Sequence, residues 1–237
     1  MLDTGFTFND IRSKQIGLEL QAPLVLSAAE PNVVTTTIPG RNGTLCYYDG
    51  SYKNRTLSGD CFILGEDVER KIGEINAWLV RYRGYGRIEL DEDSEHYMLA
   101  RSKTGIRSQI INGVLNACSV SFDCKPQRFL IYGEKAVDVT DSKVIYNPTA
   151  FPSLPDIIIE GNGDVSISTP LWSLSFKDLT GEVRYSSESY IAYNKHNEIF
   201  NNNTIVSGDI LLNSGKTTFT TTGDVTSVKI IPRWWEI

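Results

Sequence analysis

The side chains of this 237-residue chain best suited to metal, redox or nucleophilic chemistry are four cysteines and two histidines. A zinc site is usually built from pairs such as Cys-x2-4-Cys, because two nearby thiolates must reach one tetrahedral ion. The cysteines stand at 46, 61, 118 and 124, and no gap among them is that short. Cys118 and Cys124 fall in one strand-like segment, where six steps of about 3.4 Å set them roughly 20 Å apart, too far for a disulfide. They share a face through Val120 and Phe122. Three readings stay open: four reduced thiols serving as small apolar side chains, a Cys46–Cys61 bridge across a hairpin, or a chemical role. Any Cys-His or Ser-His-Asp arrangement is restricted to His96 and His196, each in a polar, turn-like stretch. The run Asp91-Glu92-Asp93-Ser94-Glu95 begins like a calcium loop. Its sixth position, where glycine makes the sharp turn, is His96, and its twelfth is Ser102 in place of a bidentate glutamate. It reads as a solvated hairpin tip between strands at 87–90 and 97–101. No Gly-x-Gly-x-x-Gly, Walker loop, His-Glu-x-x-His or Gly-x-Ser-x-Gly occurs. The expectation is a non-enzymatic chain with no catalytic set, no metal and no cofactor.

The stretch Arg81-Tyr82-Arg83-Gly84-Tyr85-Gly86-Arg87 has the residue types that neutralise and stack on a nucleic-acid strand. With 23 Lys+Arg against 29 Asp+Glu the net charge is −6, which leaves little field to gather phosphates. It reads as a loop leaving a helix, and dedicated nucleic-acid binding is not expected. Apolar runs such as Leu24-Val25-Leu26 and Ile157-Ile158-Ile159 are far shorter than the roughly 18 to 20 residues of a membrane span. The N-terminal residues lack a basic segment followed by an apolar one, so a chain made in the cytoplasm is expected and its Asn-x-Thr sequons are coincidental.

The elements that must position these residues repeat mostly at period two. The exception is Val68, Ile72, Ile75 and Leu79, whose spacing predicts one helix over 66–80, with Glu66 and Asp67 complementing its N-terminus and Gly84 and Gly86 ending the pattern. Alternation at Phe6/Phe8, 57–64, 119–124, Trp172/Leu174/Phe176 and Val228/Ile230 predicts strands. Composition shifts after Pro126. Residues 1–130 carry 15 basic and 16 acidic side chains, whereas 131–237 carry 8 and 13, so two domains with those boundaries are predicted. The second is rich in Ser, Thr, Asn and Gly. Turn signals at Gly161-Asn162-Gly163-Asp164, Asn213-Ser214-Gly215-Lys216 and Gly223-Asp224 predict an antiparallel β-sandwich of several short strands. Pro148, Pro152 and Pro155 punctuate the approach to it.

At Ile38-Pro39-Gly40-Arg41-Asn42-Gly43 the chain resembles the distal tail protein (Dit) family of bacteriophages with long, non-contractile tails. The resemblance extends over most of the chain. It includes the opening Gly5-Phe6-Thr7-Phe8-Asn9, the single helix ending near Trp78-Leu79, and the hairpin holding residues 97–101. Val120-Ser121-Phe122-Asp123-Cys124-Lys125-Pro126 resembles the end of the family's first domain. Asn147-Pro148-Thr149, Ser153-Leu154-Pro155, Gly161-Asn162-Gly163 and the closing Val228-Lys229-Ile230-Ile231-Pro232-Arg233-Trp234-Trp235 resemble its second.

That resemblance implies a mainly β protein. It would have an N-terminal β-rich belt domain with one α-helix and long hairpins, and a C-terminal galectin-like antiparallel β-sandwich. It implies a non-catalytic structural component of the phage tail tip or baseplate, made in the bacterial host cytoplasm and carried in the virion. Members form a homo-hexameric ring through the N-terminal domain, stack under the tail-tube (major tail) protein and carry the tail-associated hub protein. In some members the C-terminal domain helps to hold a receptor-binding protein. A ring of heterologous contacts needs different patches on the two sides of each subunit. Arg41, Tyr47, Tyr48 and Tyr52 are the candidates for such oligomer or partner contacts. The alternative function is a carbohydrate-binding module contacting the host cell surface, with Trp172 as a stacking residue; His196-Asn197-Glu198 lacks the Pro-Arg that completes a galectin-type strand.

Overall fold

Alternating side chains become strands wherever one face finds a core, and most of the regular structure of this chain is of that kind. The computed structural model describes residues 4–63, 67–111, 115–141 and 143–237. The chain folds as two units, one ending at Arg128 and the other running Phe129–Glu236.

The first unit contains β1 (Phe6–Phe8), β2 (Ile11–Arg12), β3 (Leu18–Leu20), β4 (Val25–Leu26), β5 (Pro31–Thr37), β6 (Thr44–Tyr52) and β7 (Arg55–Ile63). After them come α1 (Val68–Arg81), β8 (Gly86–Leu90), β9 (His96–Ser102), β10 (Arg107–Ile111) and β11 (Leu115–Leu130), the last of which runs two residues past the division. The main sheet has the order β2-β1-β8-β9-β11-β7-β3, with β10 also on β11 and β4 also on β7. Strands β5 and β6 form a separate ribbon. Alternation sends Phe6, Phe8, Leu57, Cys61, Ile63, Ile88, Met98, Val120 and Phe122 into one core, beneath Ile75, Trp78 and Leu79 of α1. Phe6 and Phe8 lie 5.7 and 5.9 Å from the Trp78 ring and 5.5 and 5.3 Å from Phe122. Each such fully buried side chain contributes about 1.5–3 kcal/mol. The Trp78 indole N–H donates to the Phe8 carbonyl at 3.1 Å, so burial leaves no orphan donor there.

The predicted helix is present. Glu66 lies outside the described residues, and Asp67 occupies the N-cap in a left-handed conformation (φ 56°) without a side-chain capping bond. The predicted hairpin around 91–95 is present as β8 and β9.

The second unit contains β12 (Val137–Asp138), β13 (Val144–Asn147), β14 (Asp156–Ser168), β15 (Ser173–Ser186) and β16 (Ile191–Asn194). It continues with β17 (Thr204–Ser207), β18 (Gly215–Thr218), β19 (Thr220–Ile231) and β20 (Trp235–Glu236). One antiparallel sheet has the order β12-β19-β14-β15-β16, with β17 also on β15, and β13 pairs with β18. Its core gathers Ile157, Ile159, Leu174, Phe176, Val183, Tyr185, Val228 and Ile230 around Trp172. Asn147 ties the proline-rich approach down by donating to the Phe151 and Leu212 carbonyls, each at 2.9 Å.

Two of the three predicted turns here are corrected. Gly161-Asn162-Gly163-Asp164 lies inside β14 and Gly223-Asp224 inside β19, both at register irregularities of long strands. The glycines serve a close crossing of backbones. A Cβ on Gly161 would stand 2.4 Å from the Asp224 carbonyl oxygen, and one on Gly223 (φ +88°) 2.1 Å from that of Asp164. Glycine inside a strand marks a bulge or close approach as readily as a turn. The third signal, at 213–216, does lead into a strand start, that of β18.

Candidate interaction surface

The ribbon β5–β6 gathers all four residues singled out from sequence. Its register pairs Val34 with Tyr47, Val33 with Tyr48, Thr36 with Leu45 and Pro31 with Tyr52. Since opposed residues share a face and successive ones alternate, Val34, Thr36, Leu45 and Tyr47 form one face, and Val33, Thr35, Cys46 and Tyr48 the other. Arg41 sits at the exposed tip, where its amide donates to the Ile38 carbonyl at 3.1 Å and Gly40 and Gly43 both take φ +80°. At the base, the Lys53 amide donates to the Glu30 carbonyl at 2.8 Å and Asn32 donates to the Ser51 hydroxyl at 2.7 Å. Tyr48 and Tyr52 meet edge to face with centroids 6.0 Å apart. The Tyr48 hydroxyl is pushed up to about 12, chiefly by its hydrogen bond with Tyr52. The structure thus brings Tyr48 and Tyr52 together, places Tyr47 on the opposite face and leaves Arg41 at the tip.

From Val33 to Ser51 every residue is exposed, including Val34 at 64% and Tyr47 at 67%. An isolated two-stranded hairpin is marginal in water, and contiguous exposed apolar side chains mark interaction sites. Both ribbon edges also present unpaired backbone groups among the described residues. The arrangement suits docking against another surface. Sequence reasoning missed Val33, Val34, Ile38 and Leu45; for the two valines the signal was the β-branched run 33–37, which identifies a strand but not an exposed one.

On β11 of the same unit, the exposed-side carboxylate Asp123 accepts from Arg101 Nε at 2.9 Å, the Tyr85 hydroxyl at 3.1 Å and Asn54 Nδ2 at 3.1 Å. Arg101 and Lys125 also stand 5.7 Å from the centre of the Tyr85 ring. Tyr85 and Arg87, which stacks 3.9 Å over Tyr97, are thereby engaged within the fold. Burial pushes the Asp123 carboxyl up, but the bonds from Arg101, Tyr85 and Asn54 more than offset it and hold the group below the usual carboxylate range. A folded pKa below the unfolded one contributes stability that is complete above the unfolded value, about 3.9, and is lost as pH falls through the folded one. The first unit is therefore expected to lose stability below about pH 4, and Asp123→Asn to flatten that part of a urea-denaturation series. An unchanged acid slope in the variant would refute the assignment.

The acidic run holds cations of the chain itself. Asp91 pairs with Arg12 at 2.7 Å, and Asp93 with Arg128 at 2.7 Å and His96 Nδ1 at 2.8 Å. No cluster able to hold a metal ion occurs among the described residues. All four cysteines are free, with Cys46 exposed on the ribbon and Cys61 buried in the sheet, so the Cys46–Cys61 bridge is not formed. His196 lies on an exposed turn whose Asn194 side chain caps its amide at 2.9 Å. Trp172 is 4% exposed and donates to the Leu211 carbonyl at 2.9 Å, which leaves no ring face for a sugar. A polar cleft of about 570 Å³ opens elsewhere in the second unit, between Asp156, Glu182, Arg184, Tyr193 and Lys195.

The crystal structure of the Dit protein (gp19.1) of phage SPP1, described as a paradigm of the hub adsorption apparatus in phages infecting Gram-positive bacteria, matches 99% of this chain and 99% of its own. The TM-score is 0.75 at 15% sequence identity. This chain has a Dit-like fold. No family model matches its sequence, and no curated protein matches it. So few identical residues suffice for the Dit-like fold because a core needs apolar side chains of about the right size, a condition that many sequences satisfy. Within it, the ribbon is where the described residues of the first unit expose most apolar surface along one element.

Proposed function

We propose that this protein is a structural, non-enzymatic component of a phage tail tip, whose N-terminal domain, residues 1–130, closes into a ring of six copies. The observation that carries this reading is the β5–β6 ribbon, an apolar and tyrosine-rich element that pairs with no further strand among the described residues and is exposed throughout 33–51, in a chain with a Dit-like fold. In a ring each subunit offers one patch and receives a different one, so a projecting ribbon docking on the body of the next subunit satisfies the geometry. Arg41, Tyr47, Tyr48 and Tyr52 then become contact residues, in keeping with the enrichment of arginine and tyrosine at interfaces. The ring would stack under the tail-tube protein and carry the tail-associated hub protein. The C-terminal domain, residues 131–237, galectin-like in this reading, would face outward toward a receptor-binding protein. The protein would be made in the bacterial host cytoplasm and reside in the virion.

The test is the mass of the purified chain by light scattering, alone and mixed with the tail-tube and hub proteins of the same phage, followed by negative-stain imaging. A species near six times 26.5 kDa with a central hole is expected. Residues 1–130 expressed alone are expected to retain it. A chain that stays monomeric in every mixture yet binds glycans saturably would overturn this reading in favour of a carbohydrate-binding module.

A further inference from the structure

We infer that Cys61 and Cys118 are a site of covalent modification, an oxidisable pair that closes into an intrachain disulfide stapling β7 to β11. The inference stands on strand register. Cys61 and Cys118 are direct partners across the antiparallel β7–β11 ladder, although 57 residues separate them. Directly opposed residues in such a ladder have Cα atoms about 4.5–5.5 Å apart, inside the 4.4–6.8 Å range that disulfides require. Both side chains enter the same core, at 2% and 7% exposure. Their sulfurs are 2.8 Å apart, so a bond of about 2.05 Å needs an approach of only about 0.8 Å.

The other thiols do not compete for this geometry. Cys124 lies six residues further along β11, opposite Arg55, and Cys46 is on the exposed ribbon. The pair is also chemically asymmetric. The two sulfurs share one hydrogen bond, with which the Cys118 thiol lies below its ordinary range, whereas that bond and burial push Cys61 well above it. Cys118 is therefore the sulfur that ionises first.

A peroxide is small enough to reach a buried sulfur through local opening, and it balances the reaction. The Cys118 thiolate attacks one peroxide oxygen and the O–O bond breaks. This leaves a sulfenic acid on Cys118 and a hydroxide that takes up the proton lost by that thiol. The Cys61 sulfur then displaces the sulfenic oxygen, which departs as water with the Cys61 proton. Two thiols lose two electrons and two protons, and one hydrogen peroxide becomes two waters. The product closes a long loop and ties two central strands, so it stabilises the oxidised chain relative to the reduced one.

The experiment uses the full chain carrying Cys46→Ser, which removes the exposed thiol. After hydrogen peroxide treatment and alkylation of remaining thiols, trypsin digestion without reductant is expected to yield residues 56–70 joined to 108–128, with fragmentation placing the link at Cys118. The melting temperature of the first unit is expected to rise by on the order of 10 °C and to return on reduction. The same treatment of Cys46→Ser/Cys118→Ala is expected to give no such link. Recovery of the two peptides separately from folded Cys46→Ser protein would overturn the proposal, as would a link placed at Cys124 or one that persists without Cys118.

Discussion

Replacing residues 33–50 with an Asn-Gly turn is expected to convert the proposed six-subunit species to monomer while leaving the melting temperature almost unchanged. The excision is structurally simple because Asn32 already donates to Ser51 at 2.7 Å and the Lys53 amide to the Glu30 carbonyl at 2.8 Å, so the cut ends are adjacent. No residue from 33 to 51 is buried, and surface changes of this kind alter stability by about 0.5 kcal/mol or less. Assembly should respond quite differently. Tyr47→Asp places a charge on the face shared with Val34 and Leu45. If that face docks, the loss is about 2 kcal/mol or more per contact, roughly thirtyfold in affinity. Light scattering of both variants beside a thermal melt separates the two effects. A ring that survives the excision would remove the ribbon from the interface and with it Arg41, Tyr47 and Tyr48.

Gly223→Val should have the largest effect on folding. The residue has φ +88°, where a β-branched side chain is strained, and its Cβ would sit 2.1 Å from the Asp164 carbonyl oxygen and 3.0 Å from the Val165 Cα. Those are backbone atoms of β14, so no side-chain rotation relieves the clash, and the central β14–β19 pairing must open. A loss on the order of 4 kcal/mol or more is expected, enough to unfold a marginal domain. Gly163→Ala is the matched comparison. Its φ is +73° but nothing lies within 4 Å of its added Cβ, so only backbone strain of about 1–2 kcal/mol applies. Urea denaturation followed by tryptophan fluorescence should rank the two variants in that order. Equal destabilisation would show that conformation, and not the crossing of backbones, is what requires glycine at 223.

Where a local pattern was enough, the sequence was informative. The 3.6-residue stripe from Val68 to Leu79 became the one α-helix among the described residues, and the alternations at Phe6/Phe8, 57–63 and Leu174/Phe176 became strands that bury Phe6, Phe8, Leu57, Cys61, Ile63, Leu174 and Phe176, with Trp172 buried just ahead of its strand. What failed depended on partners distant in sequence. Glycine at 161 and 223 signalled special backbone geometry in either case, but only the opposing strand distinguishes a bulge from a turn. The Cys61–Cys118 juxtaposition follows from a register spanning 57 residues, whereas spacing along the chain suggested Cys46 as the partner of Cys61. Trp172 carried no local mark of whether its ring faced solvent or the carbonyl of Leu211. The ribbon was legible as strands, and its tyrosines as contact residues. Its exposure among the described residues was not, because exposure is a property of what fails to pack nearby.

The distribution of thiols has a practical side. Cys46 is the one exposed cysteine and is the third residue of β6, while Cys61, Cys118 and Cys124 are buried. A maleimide dye applied to the native chain therefore has a single fast-reacting address, on the element proposed to dock. The labelling rate becomes a clock for ribbon occupancy, fast on free subunits and slow on assembled ones. Exchange of subunits through a closed ring could be followed in real time in this way, without adding a reporter group to the sequence.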